Sequence, residues 1–364
     1  MNDVFNPSRL AFARRRLGCT ATFLAAAAEV SPRALAYYES GERVPDDGAT
    51  RRLAAALDVP LTFFFAPQLD ELEPDAASFR ALSKMSARMR DAALASGSIG
   101  IGLNAWLEER MRLPEVAVPT YERGSVDPGS AAQRLRFEWN LGYARVANTV
   151  HLLEARGVRV FSLPPRLSDV DAFSFWWRGR PFVFLNTTKS YERGRFDAIY
   201  ELAHLVLHAD YDLPRGRDRE LEANRFAAAF LMPEDEMLAA RLRNANVNRI
   251  LEAKERWGVS AMALTHRLHG LGITSDWMYA TTCRRLSELG YRRGEPDGVV
   301  ARESSQLLSK AVRLLRERGL QPQRIARDLH VHPEALNELL FGLTMTTVSS
   351  VDLVDAEELR QRSG

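Results

Sequence analysis

One segment, Phe196 to His208, sets the strictest condition on how this chain can fold. On a helix at about 100° per residue, Tyr200, His204, His208 and Glu201 fall within about 100° of arc, while apolar side chains from Phe196 to Leu207 take most of the remainder. A helix apolar round so much of its surface must be enclosed by other layers. Its polar stripe then faces either the wall of a site or a second polar layer.

The rest of the chain is long enough to supply those layers. At 364 residues it should hold two or three domains. Hydrophobic residues make up 46% and charged residues 26%, which excludes a disordered or fibrous chain. No apolar run reaches the roughly 20 residues that span a bilayer, and Met1 to Arg16 has no apolar signal core, so a cytoplasmic protein without membrane attachment is expected. Cys19 and Cys283 show no paired spacing and read as reduced thiols. With 49 basic and 47 acidic residues, the net charge of +2 does not by itself point to nucleic acid. Lysine occurs only at Lys84, Lys189, Lys254 and Lys310, so the positive charge is almost all guanidinium, suited to bidentate contacts.

Residues 7 to 66 read as short amphipathic helices closed by the apolar stretch Leu61 to Phe65. A long helix is expected from Ser78 to Arg112, interrupted by the Gly97 to Gly102 cluster, and Pro114 to Pro128 reads as a linker. Beyond Ala131 the pattern is helix, then strands: Val158 to Phe161, and an alternation at Phe173, Phe175 and Trp177 that turns at Gly179 into Phe182 to Leu185. Further helices are expected at Glu220 to Leu231, Ala261 to His269, Ser304 to Arg318, Arg324 to Leu329 and Pro333 to Phe341. Val30-Ser31, Val259-Ser260 and Val331-His332-Pro333 each stand between short helices, which ordinary helix starts explain. Residues 304 to 341 show a helix-turn-helix-like spacing at Ile325, Ala326, Leu329, Val331, Leu336 and Leu340, taken as an ordinary helical pair.

Thr20 to Gly41 has the plan of a helix-turn-helix: a first helix to Ala28, a turn at Glu29-Val30, a Ser31 cap, Pro32 at the first helical position and a Gly41 stop. With Tyr38, Glu39, Gly41 and Pro45 in register, it resembles the XRE-type family and its Tyr-Glu-x-Gly-x-x-x-Pro stretch. The resemblance implies that Ser31, Arg33, Ala34 and Tyr37 meet DNA from the recognition helix, with Arg14, Arg16 and Arg43 on phosphates. Two positions depart from the family: Ala21 stands where a Gln usually begins the second helix, and Glu29 where the turn usually has Gly. Residues 1 to 66 hold 8 basic and 7 acidic residues, so affinity must rest on a few arginines and on dimerisation.

In the buried-helix segment, Tyr200-Glu201-Leu202-Ala203-His204 stands in the frame of His-Glu-x-x-His, where i and i+4 imidazoles share a metal and Glu polarises its water. Arg193-x-Arg195-Phe196, Glu222-Ala223-Asn224-Arg225-Phe226-Ala227, Leu231-Met232-Pro233 and Trp257-Gly258-Val259-Ser260 complete a resemblance to the ImmA/IrrE metallopeptidase-like family over residues 129 to 270. The resemblance implies His204 and Glu222 as metal ligands and Glu201 as general base if the site is active. Tyr200 replaces the first histidine, and a phenol with a pKa near 10 is a poor ligand at neutral pH. A shifted donor set of His204, His208 and Glu222 stays open.

The expected fold is multidomain and mainly α, with an α+β zincin-like domain. It divides into a five-helix helix-turn-helix domain (1–66), a helical connector and linker (67–128), the metallopeptidase-like domain (129–270) and a C-terminal helical region (271–364). The expected function is a sequence-specific transcriptional regulator, a homodimer on double-stranded DNA. Its peptidase-derived domain would be inactive, without a cofactor, and kept as a sensor or platform for a protein partner or small-molecule effector. The alternative is a zinc endopeptidase that cleaves a helix-turn-helix repressor through a substitute ligand.

Overall fold

The computed structural model describes residues 4–79, 85–122, 124–209, 216–296, 298 and 302–343. Helices α1 (Pro7–Leu17), α2 (Ala21–Ala27), α3 (Pro32–Ser40) and α4 (Asp47–Leu57), with the 3-10 turn Leu61–Phe65, form the N-terminal unit. Each helix starts on a capping side chain: Asn6, Thr20, Ser31 and Asp46 accept from the first-turn N–H groups.

A four-stranded sheet lies at the centre, in the order β1 (Ser78–Phe79), β3 (Ala172–Trp177), β4 (Arg180–Leu185), β2 (Arg159–Ser162). The β3 and β4 strands make the expected hairpin, and its two-residue turn is Arg178 (φ 46°) and Gly179 (φ 74°). Strand β2 pairs parallel to β4. Alternation sends Phe173, Phe175, Phe182 and Phe184 to one face, where Phe173 and Phe184 stack at 4.7 Å. Ala172, Val183 and Leu185 go to the other.

Helix α5 (Ala87–Glu108) covers the phenylalanine face. The expected helix from Ser78 is corrected in two respects: Ser78 belongs to β1, and the glycines do not interrupt α5. Residues 80–84 of that expectation lie outside the described residues. A Cβ at Gly97 would stand 2.5 Å from Leu72 Cδ1, and one at Gly100 would stand 2.6 Å from Phe184 Cζ. The glycines therefore let the helix lie flush on the ring layer, and burial offsets their propensity cost of about 1 kcal/mol each.

The other sheet face carries α6 (Pro128–Glu138), α7 (Thr149–Ala155), α8 (Tyr191–Leu207), α9 (Arg217–Leu231), α10 (Glu234–Ala239), α11 (Val247–Trp257), α12 (Ala261–Gly270) and α13 (Asp276–Glu288) around a second core. Helix α8 is the enclosed helix that the sequence demanded. The expected linker is bound to this domain at two points: Ala117 N–H donates to Arg156 O and Tyr121 N–H to Val206 O. Helices α14 (Gln306–Glu317), α15 (Pro322–Asp328) and α16 (Pro333–Leu339) return to the first core, which runs unbroken from the N-terminal unit through α5 to the sheet. The C-terminal region beyond residue 343 lies outside the described residues. No helix among the described residues is long and apolar enough to cross a membrane.

Candidate functional site

Two places carry chemistry. In the first, α2 ends at Ala28, Glu29 turns the chain with φ 52°, and Val30 N–H returns to Ala25 O. Ser31 Oγ then accepts from Ala34 N–H and Leu35 anchors α3 in the core. Ser31 and Arg33 stay exposed and Ala34 partly so. Arg33 Nε donates to Tyr37 Oη at 2.8 Å, and the guanidiniums of Arg33 and Arg43 lie over the Tyr37 ring, at 5.4 and 4.9 Å from its centre. Ser31, Arg33, Tyr37 and Arg43 therefore share the outer side of α3, with two cations held round one aromatic.

Arg14 and Arg16, expected on phosphates, are placed otherwise. Arg14 grips Glu39 with two hydrogen bonds, 2.6 Å from Nε and 3.1 Å from Nη2, and that pairing holds its pKa above the usual value. It fastens the end of α3 to α1. Arg16 is 4% exposed, donates to Asp58 O at the end of α4, and burial pushes its pKa down to about 10. Cation type was readable for both, but the direction each faces was not.

Glu29 occupies a left-handed position that glycine holds without strain. Glu29→Gly should raise the unfolding free energy by about 0.5–1 kcal/mol and Glu29→Val should lower it, as read by urea denaturation. If neither substitution moves the midpoint, the turn stores no strain.

The second place is the polar stripe of α8. Tyr200 and Glu201 are fully buried, and His204 and His208 are 5% and 4% exposed. Tyr200 Oη donates to Glu220 Oε2 at 2.6 Å. His204 and His208 share a hydrogen bond between their Nδ1 atoms at 2.9 Å, so one ring donates and the other accepts. His208 Nε2 meets Glu222 Oε2 at 2.7 Å. The opposite carboxylate turns to the sheet, where Glu201 Oε2 accepts from Ser174 Oγ of β3 at 2.6 Å. The first turns of α9 thus supply a carboxylate for Tyr200 and another for His208, while Ser174 holds Glu201.

A zinc ion needs its histidine and carboxylate donors about 2.0–2.2 Å from one point. In this arrangement the donors face one another instead: Nδ1 of His204 and both ring nitrogens of His208 take part in hydrogen bonds, and Tyr200 is turned to Glu220 rather than Glu222. Among the described residues no group of three or more His, Cys, Asp or Glu is disposed to hold a metal. Among the described residues, these side chains are spent on one another and do not offer zinc a common point. The sequence had brought Tyr200, His204, His208 and Glu222 to one region, and the structure does so too. It missed Glu220 and Ser174, which no motif marks, and Asp197, a buried carboxylate 3.8 Å from Arg193.

Two protein-family models match the regions that contain these places. Residues 10–64 match the helix-turn-helix family and residues 153–269 match the IrrE N-terminal-like domain. No curated protein matched the chain. The chain therefore joins an XRE-type helix-turn-helix, a fold that supports binding to double-stranded DNA, to a peptidase-like domain.

Proposed function

We propose that this fusion is a sequence-specific transcriptional regulator that reads an operator through α3 and uses its peptidase-derived domain to sense an effector or partner rather than to cleave. The outward cluster of Arg33, Tyr37 and Arg43 carries the reading, because hydrogen bonding and ring contacts arrange it before DNA arrives. Arg14 and Arg16 are committed inside the fold, which leaves few cations for phosphates. A homodimer on half-sites about 10 bp apart would double those contacts. On the peptidase side, the hydrogen-bonded series His204, His208, Glu222 supports a site that does not act through metal.

The test begins by mapping binding sites across the genome and titrating one such duplex. Arg33→Ala should weaken binding by about 5- to 150-fold, equivalent to 1–3 kcal/mol, and reduce the salt slope by about one. If affinity and slope both stay at the parent values, α3 is not the reading helix.

A further inference from the structure

Among the described residues the last three helices follow the first three at nearly the same sequence offset, which the second helices and the starts of the third keep residue for residue. Helix α2 (Ala21–Ala27) corresponds residue for residue to α15 (Pro322–Asp328), and Pro32 at the start of α3 corresponds to Pro333 at the start of α16. Gly18 and Gly319 end the preceding helices with φ 66° and 75°. The turns match more closely than shared helix starts require: Glu29 has φ 52° and His330 has φ 55°, both non-glycine residues in the left-handed region. The next residue is valine in each, and Val30 N–H to Ala25 O and Val331 N–H to Ala326 O are both 2.9 Å. The anchors Ala25 and Leu35 have buried counterparts in Ala326 and Leu336. Gly41 caps α3 with φ 79°, and its counterpart Gly342 has φ 61° but follows Phe341 at φ 59°, because α16 ends two residues sooner. Ordinary capping accounts for a serine or proline at a helix start, but not for a shared left-handed residue and the same bonds in one register.

The outward chemistry of the copies differs. Where α3 carries Arg33 and Tyr37, α16 carries Glu334 and Glu338, acids that repel phosphate. Glu338 pairs with Arg166 at 2.9 Å. Its carbonyl accepts from Ser162 Oγ of β2, and Ser162 Oγ in turn accepts from Phe341 N–H at 2.6 Å. His332, the counterpart of the cap Ser31, stands with Nε2 4.0 Å from Asp58 Oδ1 at the end of α4. Arg16 of the first unit, whose Nη1 donates to Asp58 O, lies in the field of both Arg166 and Glu338.

We propose that α14–α16 is a second helix-turn-helix unit whose reading helix docks within the chain through Glu338 and His332, with strand β2 and the first unit as its partner, and leaves Glu334 exposed. It holds the DNA-reading unit on the peptidase-like domain where a flexible linker would leave it free.

The test uses the full-length chain in two arms. Glu334→Arg puts a guanidinium at the exposed position equivalent to Arg33. The salt slope of binding to random-sequence duplex should stay unchanged, whereas a slope increase of about one would show that α16 faces DNA and would overturn the proposal. The second arm needs no DNA. Glu338→Arg sets like charges against Arg166, and amide exchange should speed up about three- to tenfold together in α16, in β2 and at the end of α4. Adding Arg166→Glu should restore protection, which separates lost docking from general misfolding. Faster exchange confined to α16, or a double variant no better protected than the single one, overturns the docking.

Discussion

Replacing Arg195 by Met should cost about 3–5 kcal/mol of stability, the range for removing one partner of a buried ion pair. The guanidinium is fully buried on α8 and has four acceptors. Nε donates to Gly258 O at 3.1 Å, Nη2 to Val146 O at 2.6 Å, and Nη1 to Ala147 O and to the carboxylate of Glu303. Glu303 in turn accepts from Thr149 N–H at 2.7 Å, in the first turn of α7. Loss of Arg195 therefore leaves three carbonyls without this donor and Glu303 without its cationic partner, so that α7 alone holds the carboxylate through Thr149 and Val150. Met fills most of the volume without the charge, so the loss reports polar satisfaction more than a cavity. Chemical denaturation measures it directly, and a loss below about 1 kcal/mol would show that water or a rearranged neighbour satisfies these groups. Gly258 is part of the same design: it has φ 64°, and a Cβ there would stand 3.0 Å from Arg195 Nε.

Arg195 also marks how far the sequence could be read. Its place in the Arg193-x-Arg195-Phe196 block was visible, but its four acceptors come from segments far apart in the chain, and no local pattern names them. The β3–β4 hairpin was legible because each strand borders a different core on each face, which leaves a period-two trace. The continuity of α5 was not, because its glycines answer to Phe184 and Phe175 across the interface rather than to helix propensity. At the polar stripe of α8 the meeting of His204 and His208 was legible from helical spacing, and Glu222 came from the family resemblance. Other bonds of the stripe were not legible: Tyr200 finds Glu220 and Glu201 finds Ser174 because of how α9 and β3 pack on α8. The sequence placed Val30 and Val331 alike, one residue before a helix start with proline, and ordinary helix starts explained that recurrence. The left-handed backbone at Glu29 and His330 is what separates a duplicated unit from two ordinary helix starts.

Full-length protein purified without chelators and dialysed against buffer containing zinc should retain far less than one zinc per chain, and Tyr200→His should raise that to about one. The substitution puts an imidazole one turn before His204 and removes the phenol now held by Glu220. It thereby completes two histidines and Glu222 as the three protein ligands that keep a zinc ion in an open site. Zinc would have to break the bond between His204 and His208 and the one between His208 and the Glu222 carboxylate, at a cost of a few kcal/mol together. Structural zinc sites bind with about 10–16 kcal/mol, so three good ligands can meet that cost where two and a phenol cannot. Adding Glu222→Ala to the Tyr200→His chain should abolish retention, which ties the metal to this site rather than to the other histidines. A parent chain that already holds one equivalent, and loses it in His204→Ala, would favour the zinc endopeptidase reading with a substitute ligand.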